Sequence, residues 1–269
     1  MSEKILVFIP MYNCEKQIVR VLQQFTTDIK HYIDEVLIVN NRSTDNGEAM
    51  AISKIKTMKG LKVSVVRNTE NYGLGGSHKI AFQYAIRNSF DYVIVLHGDD
   101  QGNINDILPF LIQGLHRKVD CLLGARFHPA SKLQGYSRFR TFGNYIYNML
   151  FSIVTKHRIY DLGSGLNCYK VDRLKDNFYH QYPDDLTFNY CMILGSIYFK
   201  HSIHFFPLVW REDDQVSNVK MIRQAFKVLA LLLKFAINKS KFLQNEHREK
   251  VIMNYDSELI FKNFERDFA

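Results

Sequence analysis

The chain has 269 residues, of which 46% are hydrophobic and 13% aromatic, and this suffices for one large core or for a core with a subsidiary lobe. Its four cysteines form no CxxC pair, so a structural zinc site and a disulfide framework are both disfavoured, and a reducing cytoplasm fits. The formal net charge of +8 suits nucleic acid, an anionic membrane surface or phosphorylated substrates. No zinc finger, RNA-recognition motif or dense basic arm accompanies this charge, so we expect no nucleic-acid partner.

Strands and helices alternate in the first half of the chain. Apolar runs predict strands at residues 4–9, 35–39, 63–66, 92–96 and around 122–124. Pro10 is expected to end the first strand because it cannot donate to a sheet ladder. This alternation predicts the fold class α/β, with a mostly parallel central sheet flanked by helices.

The helices between these strands have candidate N-terminal caps. Asn13 precedes a helix whose apolar face runs from Ile18 to Phe25, and Asp45 precedes a helix at residues 48–58. A glycine-rich stretch at 71–76 predicts a loop, followed by a helix from Ser77, its candidate cap, to about residue 87. Lys79 on that helix is expected to be solvated, with contact to a phosphate as the alternative.

The second half has a different character. Residues 128–140 are polar and basic and predict a mobile loop, and residues 203–210 predict a strand followed by a polar loop at 211–217. Apolar spacing predicts helices at 142–154, 186–198 and 220–237. The last of these is either a core-facing helix or a membrane-surface helix, since Lys227 and Lys234 bracket its apolar run. We divide the chain into a main domain at 1–220 and an extension at 221–269 that contains this amphipathic helix.

No signal-peptide pattern opens the chain, and no apolar run approaches the roughly 20 residues of a membrane-spanning helix. We therefore expect a cytoplasmic protein, with the inner face of the membrane as an open alternative. Homo-oligomerisation also stays open.

The strand at 92–96 runs directly into His97, Gly98, Asp99, Asp100 and Gln101. Polar side chains at the carboxyl end of a central strand lie where open α/β sheets bind ligands. Carboxylate and amide oxygens suit Mg²⁺ or Mn²⁺, ions that usually also hold substrate phosphates. A plain turn rich in Asp and Gly is the alternative.

Several motifs occur together in one order: residues 9–13, 39–45, 71–76, the turn at Asp99, 123–127, 161–167 and 211–220. In this combination the chain resembles family 2 glycosyltransferases of the GT-A fold. Its second half is similar to the dolichyl- or polyprenyl-phosphate sugar transferase branch. The resemblance covers roughly residues 4–220.

The resemblance implies a UDP- or GDP-linked sugar donor. The residues implied at the base, ribose and diphosphate of that donor are Pro10, Tyr12, Asn13, Asn40, Asn41, Gly73, Gly75, Gly98, Asp99, Arg211 and Lys220. Family members usually carry acids where this chain has Asn40 and Asn41, and an ordinary turn is the alternative there. The glycines at 73–76 permit either close approach to a ligand or a tight turn.

The family's metal motif is commonly Asp-x-Asp, and here its two positions are His97 and Asp99. With Gln101, these are the implied metal ligands, while Asp100 receives no role at the metal. Imidazole suits Mn²⁺ better than Mg²⁺; His97 could instead bond a phosphate or ribose.

Three further residues are implied in catalysis. Arg126 would pair with the donor diphosphate, with a structural salt bridge as the alternative. Asp161 resembles the acid at the sugar or acceptor site. If the acceptor is a hydroxyl, a carboxylate must take its proton, and Asp184 or Asp185 could do so; both could instead be acids at a helix N-terminus.

The implied function is inverting, metal-dependent transfer of a sugar to a lipid-phosphate or glycan hydroxyl acceptor, in cell-surface polysaccharide or glycolipid synthesis. A sugar nucleotidyltransferase is one alternative, although its glycine-rich signature is absent after Ile9. A non-catalytic nucleotide-sugar-binding relative is another.

Overall fold

A computed structural model describes residues 3–213 and 221–264, and for residues 221–223 it describes the backbone only. The strands are β1 (Ile5–Met11), β2 (Glu35–Asn40), β3 (Lys62–Asn68), β4 (Tyr92–Leu96), β5 (Cys121–Ala125), β6 (Lys132–Gln134), β7 (Leu166–Lys170), β8 (Ile203–Pro207), β9 (Val209–Arg211) and β10 (Ser257–Lys262). The α-helices are α1 (Glu15–Gln23), α2 (Thr27–Lys30), α3 (Gly47–Thr57), α4 (Gly73–Arg87), α5 (Leu108–Ile112), α6 (Leu115–Lys118), α7 (Arg138–Thr155), α8 (Phe188–Tyr198), α9 (Met221–Ile237) and α10 (Lys239–Gln244).

Eight strands form one sheet in the order β10-β3-β2-β1-β4-β7-β5-β8. The pairs among β3, β2, β1 and β4 are parallel, whereas β7 runs antiparallel to β4 and β5. The predicted α/β class and mostly parallel sheet are therefore confirmed, and the helical C-terminal region is present. A separate small sheet pairs β6 with β9.

The sheet is buried on both faces. Successive side chains of a strand point to opposite faces, so β1 places Leu6 and Phe8 in one core cluster and Ile5, Val7 and Ile9 in the other. The first cluster lies under α4, α7, α8 and α9, and the second under α1, α3 and α5. Continuous apolar runs in the central strands follow from this double burial.

Pro10 does not end the first strand, contrary to the sequence prediction. It stays in β1, in register with Val39 of β2. Its carbonyl oxygen accepts a hydrogen bond from the Gly98 N–H on the β4 side, where pairing between β1 and β4 has stopped at Phe8. The nitrogen and the carbonyl of a strand residue point to the same side, so the nitrogen of Pro10 also faces β4. Pairing with β4 has already ended there, and the absence of an N–H on Pro10 therefore breaks no sheet hydrogen bond.

Two of the predicted helix caps are wrong. Asn13 has φ +50° and its Oδ1 accepts from the Thr44 N–H, so it joins two loops instead of capping α1. Helix α4 begins at Gly73, and Ser77 lies inside it, donating to the Gly73 carbonyl. The Asp45 prediction is confirmed in substance, since its carboxylate accepts from the Gly47 N–H at the start of α3 and also from the Glu15 N–H.

The second half contains elements that the sequence patterns did not separate. The predicted loop at 128–140 holds β6 and the start of α7, and the predicted strand at 203–210 is divided into β8 and β9. Helix α9 directs Val228, Leu231 and Phe235 into the core, which matches the core-facing alternative. Within the described part of the chain, no helix is both long and apolar enough to cross a bilayer.

Candidate functional site

A cleft of about 380 Å³ opens at the carboxyl ends of β1 and β4. It is lined by Pro10, Met11, Tyr12, Cys14, Asn41, Asn71, Gly73, Leu74, Ser77, His97, Gly98, Asp99, Asp185 and Leu186. Eight of these belong to the predicted site: Pro10, Tyr12, Asn41, Gly73, His97, Gly98, Asp99 and Asp185. Parallel neighbouring strands end at the same edge of the sheet, and this explains why motifs almost 90 residues apart meet here.

Gly98 lets these two strand ends approach closely. A Cβ on Gly98 would lie 2.9 Å from the Pro10 carbonyl oxygen and 3.2 Å from the Cys14 sulfur. The Gly98 N–H donates to that same Pro10 oxygen at 3.2 Å. Any larger residue at 98 would therefore push apart the floor of the cleft.

Asn41 organises one wall of the cleft. Its Oδ1 accepts from the Tyr72 N–H at 2.8 Å and from Asn68 Nδ2 at 2.9 Å, and its Nδ2 donates to Asn71 Oδ1 at 2.7 Å. Asn40 is directed elsewhere, bonding Glu48 and the Ser43 N–H, and it does not line the cleft. Asn41 thus holds the loop that leads into α4, while Asn40 shapes the turn after β2.

The glycine-rich segment packs against protein backbone. A Cβ on Gly73 would lie 2.3 Å from the Asp184 carbonyl oxygen, and one on Gly75 would lie 2.3 Å from that of Pro183. The Gly75 N–H donates to the Asp184 oxygen at 2.7 Å. Gly73, with φ +70°, also lines the cleft, whereas Gly75 does not. The close approach at Gly75 is therefore to residues 183–184.

Lys79 is not solvated, contrary to the sequence prediction. It is 1% exposed, and its Nζ donates to Asp184 Oδ1 and to the Tyr182 carbonyl, each at 2.7 Å. Tyr255 from the C-terminal region also donates to Asp184 at 2.8 Å. Burial lowers the pKa of Lys79 to about 8, although Asp184 opposes the shift. Asp184 is therefore held inside this cluster, and it does not line the cleft.

Asp99 and His97 both line the cleft just after the end of β4. Burial raises the pKa of the half-buried Asp99 carboxyl to about 6, against hydrogen bonds from backbone N–H groups that lower it. Burial, together with the charge of Arg126, lowers the pKa of His97 to about 4, so its ring is neutral at pH 7. His97 Nε2 is buried and has no hydrogen-bond partner among the residues that the structure describes.

Asp99 and His97 fit a divalent cation whose remaining coordination positions are filled by a bound substrate and water. Across residues 3–213 and 221–264, no three His, Cys, Asp or Glu side chains group closely enough for an all-protein metal site. Mg²⁺ and similar ions are commonly bound by one or two carboxylates plus substrate phosphates and water. One carboxylate and one neutral imidazole with an unpartnered nitrogen match that kind of site. Gln101, the third predicted ligand, lies outside the cleft lining and donates to Glu212 Oε1 at 3.3 Å.

The residue between Asp99 and Gln101 has a structural role. Asp100 is 1% exposed, and its carboxylate accepts from Arg20 Nε at 2.6 Å, Gln24 Nε2 at 2.8 Å and Arg211 Nη2 at 2.7 Å. The prediction that Asp100 has no role at the metal is consistent with these bonds. Arg211, predicted to contact phosphate, is engaged with Asp100 and does not line the cleft. Lys220 lies outside the described residues.

The three residues predicted to act in catalysis, Arg126, Asp161 and Asp185, lie in two different places. Arg126 and Asp161 bind each other, which matches the salt-bridge alternative, and neither lines the cleft. Asp185 does line it, and its carboxylate pairs with Lys227 and accepts from the Thr187 N–H at 2.8 Å. Despite partial burial, these bonds lower the pKa of Asp185. Asp185 thus accepts a backbone hydrogen bond just before α8 and also lines the cleft.

Six lining residues carried no functional prediction: Met11, Cys14, Asn71, Leu74, Ser77 and Leu186. Asn71 stands in the glycine-rich motif and could have been found there. Leu186 follows Asp185 in a segment with no motif of its own, and only the chain's return to the sheet edge brings it to the cleft.

Residues 6–177 match the family model for glycosyl transferase family 2. No curated protein matches the chain. Among solved structures, glucosyl-3-phosphoglycerate synthase from Mycobacterium tuberculosis in complex with UDP superposes with a TM-score of 0.62 at 15% identity, covering 87% of this chain and 80% of the synthase. The complex of that synthase with Mn²⁺, UDP and phosphoglyceric acid gives a TM-score of 0.63 at 15% identity, covering 87% and 79%.

The structural similarity supports the GT-A arrangement of the sheet, and the family match spans the cleft-forming strands from β1 to β7. The chain therefore belongs to glycosyl transferase family 2.

Proposed function

We propose that this protein transfers a sugar from a UDP- or GDP-linked donor, and that the donor occupies the cleft at the ends of β1 and β4. The observation that carries the proposal is the convergence of Tyr12, Asp99, His97 and the start of α4 on one cleft. Tyr12 is 49% exposed and offers a ring face to a nucleobase. The N-terminal end of a helix favours negative charge, so the start of α4 at Gly73 suits a diphosphate.

In this proposal Asp99 and His97, which both line the cleft, hold Mg²⁺ or Mn²⁺. When bound, the ion neutralises charge on the departing nucleoside diphosphate. The neutral state of His97 at pH 7 permits ligation, because an imidazolium has no free lone pair. The Mn²⁺ complexes of the structurally similar synthase support a divalent ion in this fold.

An inverting transfer has the acceptor attack the anomeric carbon from the face opposite the diphosphate. An acceptor hydroxyl must lose its proton, and we assign Asp185 as the base because Asp185 lines the cleft and Asp184 does not. An acceptor phosphate needs no base. A lipid phosphate or a glycan hydroxyl is the proposed acceptor, in cell-surface polysaccharide or glycolipid synthesis.

The proposal is tested by a thermal-shift screen of UDP, GDP and other nucleoside diphosphates, with and without Mn²⁺. A ligand that binds only the folded state raises the melting temperature. We expect a Mn²⁺-dependent rise for one nucleotide, lost in Asp99→Asn and reduced in Tyr12→Ala. Asp106→Asn changes another partly buried acid, outside the cleft lining, and should bind like the wild type.

Activity assays separate the competing functions. Slow hydrolysis of the matching nucleotide sugar is the expected result. Pyrophosphate release from a nucleoside triphosphate would assign a nucleotidyltransferase, and binding without turnover of any donor would assign a non-catalytic relative. A nucleotide complex with its phosphates far from Asp99 would refute the proposed site.

A further inference from the structure

Helix α7 carries an apolar stripe whose residues are all exposed. The stripe consists of five residues spaced three and four apart: Phe139, Phe142, Ile146, Met149 and Ile153. This spacing puts them on one side of the helix, and between 38% and 77% of each is exposed. The buried residues of α7, Asn148, Phe151 and Thr155, lie on the opposite side. The helix therefore packs on the core with one face and leaves an equally apolar face outside.

Helix α9 repeats this arrangement beside α7. Phe226, Leu233 and Ile237 are between 62% and 84% exposed and share one side of α9. Its opposite side buries Val228 and Phe235 in the cluster that also contains Phe151 of α7. The two helices contact each other and bury their inner sides in the same cluster, and we call their two outer stripes together the α7–α9 face.

The helices that carry and flank the α7–α9 face have charges of a single sign, although Glu212 pairs with Arg140 of α7, and Asp185 and Glu249 pair with Lys227 of α9. Helices α7, α9 and α10 contain no Asp or Glu. The exposed cations at or near their ends are Arg138, Lys156, Lys234, Lys239 and Lys241. None of these five forms an ion pair with another described residue. A face that is apolar along its centre and cationic at its margins matches the interfacial region of an anionic bilayer, where acyl chains lie beneath negative headgroups.

We propose that the α7–α9 face docks this protein peripherally on membranes that contain anionic phospholipids. The stripe residues enter the headgroup boundary while the flanking cations contact lipid phosphates. A second copy of the chain fits less well, because a two-fold contact through this face would oppose two cationic margins. Docking through this face does not depend on the proposed transferase activity.

Vesicle co-sedimentation of the full chain tests the proposal. The probes are vesicles of phosphatidylcholine mixed equally with phosphatidylglycerol, and vesicles of phosphatidylcholine alone. We expect binding to the mixed vesicles that is about tenfold or more stronger than to the neutral ones and that weakens with salt. Phe142→Asp combined with Met149→Asp should reduce binding about tenfold or more, and Lys156→Glu combined with Lys239→Glu should abolish the preference for anionic vesicles.

Matched controls change exposed residues on the other face of the sheet. Ile112→Asp replaces a residue that is 62% exposed on α5, and Lys118→Glu reverses a charge on α6. Both should bind mixed vesicles like the wild type, and circular dichroism melts should show that every variant is folded. The proposal is overturned if the wild-type protein does not bind mixed vesicles, or if the control variants lose as much binding as the Phe142→Asp, Met149→Asp variant does. It is equally overturned if the α7 variant dissociates a wild-type dimer while vesicle binding stays unchanged.

Discussion

Arg126 and Asp161 form a two-pronged ion pair: Arg126 Nε donates to Oδ2 and Nη2 to Oδ1, each at 2.8 Å. Their side chains are 13% and 1% exposed. The same carboxylate accepts from the backbone N–H groups of Arg126 and Gly163. Burial would lower the pKa of Arg126, but the Asp161 carboxylate outweighs it and raises that pKa above its ordinary value. The pair ties the end of β5 to the turn before β7.

Removing one partner should leave the other as a buried, uncompensated charge. Asp161→Ala should therefore lower the free energy of unfolding by about 3–5 kcal/mol, measured by urea denaturation. Asp172→Ala, which removes an exposed partner of Lys175, should cost at most about 1 kcal/mol. A small stability loss in Asp161→Ala together with a complete loss of activity would instead place the carboxylate in substrate contact.

Asp99 should make stability depend on pH. Its pKa is about 6 in the folded protein and 3.8 ordinarily, so the folded state keeps a proton that the unfolded chain releases. The resulting stabilisation is complete below the ordinary pKa and is lost as pH rises through about 6. The wild-type protein without metal should lose this stabilisation as the pH rises and Asp99→Asn should not, so the unfolding free energy of the variant relative to the wild type should increase by about 2–3 kcal/mol between about pH 4 and pH 7. A difference that stays constant over this range in denaturation curves would argue against a desolvated carboxyl.

His97 should influence the choice of metal. A second carboxylate at position 97 would be a harder ligand than imidazole, and Mg²⁺ prefers oxygen ligands. We expect His97→Asp to raise the apparent affinity for Mg²⁺ relative to Mn²⁺ about threefold to tenfold, measured as nucleotide-dependent thermal shifts at varied metal concentration. His204→Asp, a change on an exposed position of β8, is the control and should leave the ratio unaltered. An unchanged ratio in His97→Asp would remove His97 from the metal site.

Lys79 and Asp184 should behave as a coupled buried pair. Lys79→Met leaves the Asp184 carboxylate, which is 19% exposed, without its cation, and should cost about 3 kcal/mol or more of unfolding free energy. Adding Asp184→Asn should recover part of that loss, because no uncompensated charge remains. Lys175→Met on the surface should change stability little. Strictly additive losses in the double variant would show that the two side chains do not interact.

The alternation of apolar strands and amphipathic helices was enough to predict the α/β sheet and the strand at Tyr92–Leu96. A strand that is covered on both faces has a continuous run of apolar residues, so the sequence alone indicates which strands are buried. The strand β10 was not predicted, since its residues are largely exposed and only pairing with β3 orders them. Strand β7 was not predicted either, because the polar residue Asn167 interrupts its apolar run. Asn167 is buried in the structure, where its side chain donates a hydrogen bond to the Ser164 carbonyl.

For the candidate site, the sequence by itself determined which polar residues follow the strands, including Tyr12 and Asp99. Only the tertiary structure decided which of them share a cleft. Lys79 and Arg126 each found a carboxylate partner far along the chain, at Asp184 and Asp161, and such pairing depends on distances between segments that no local pattern encodes. Local patterns fix secondary structure because they act through neighbouring residues, whereas the protonation and pairing of buried charges follow from the whole packed fold.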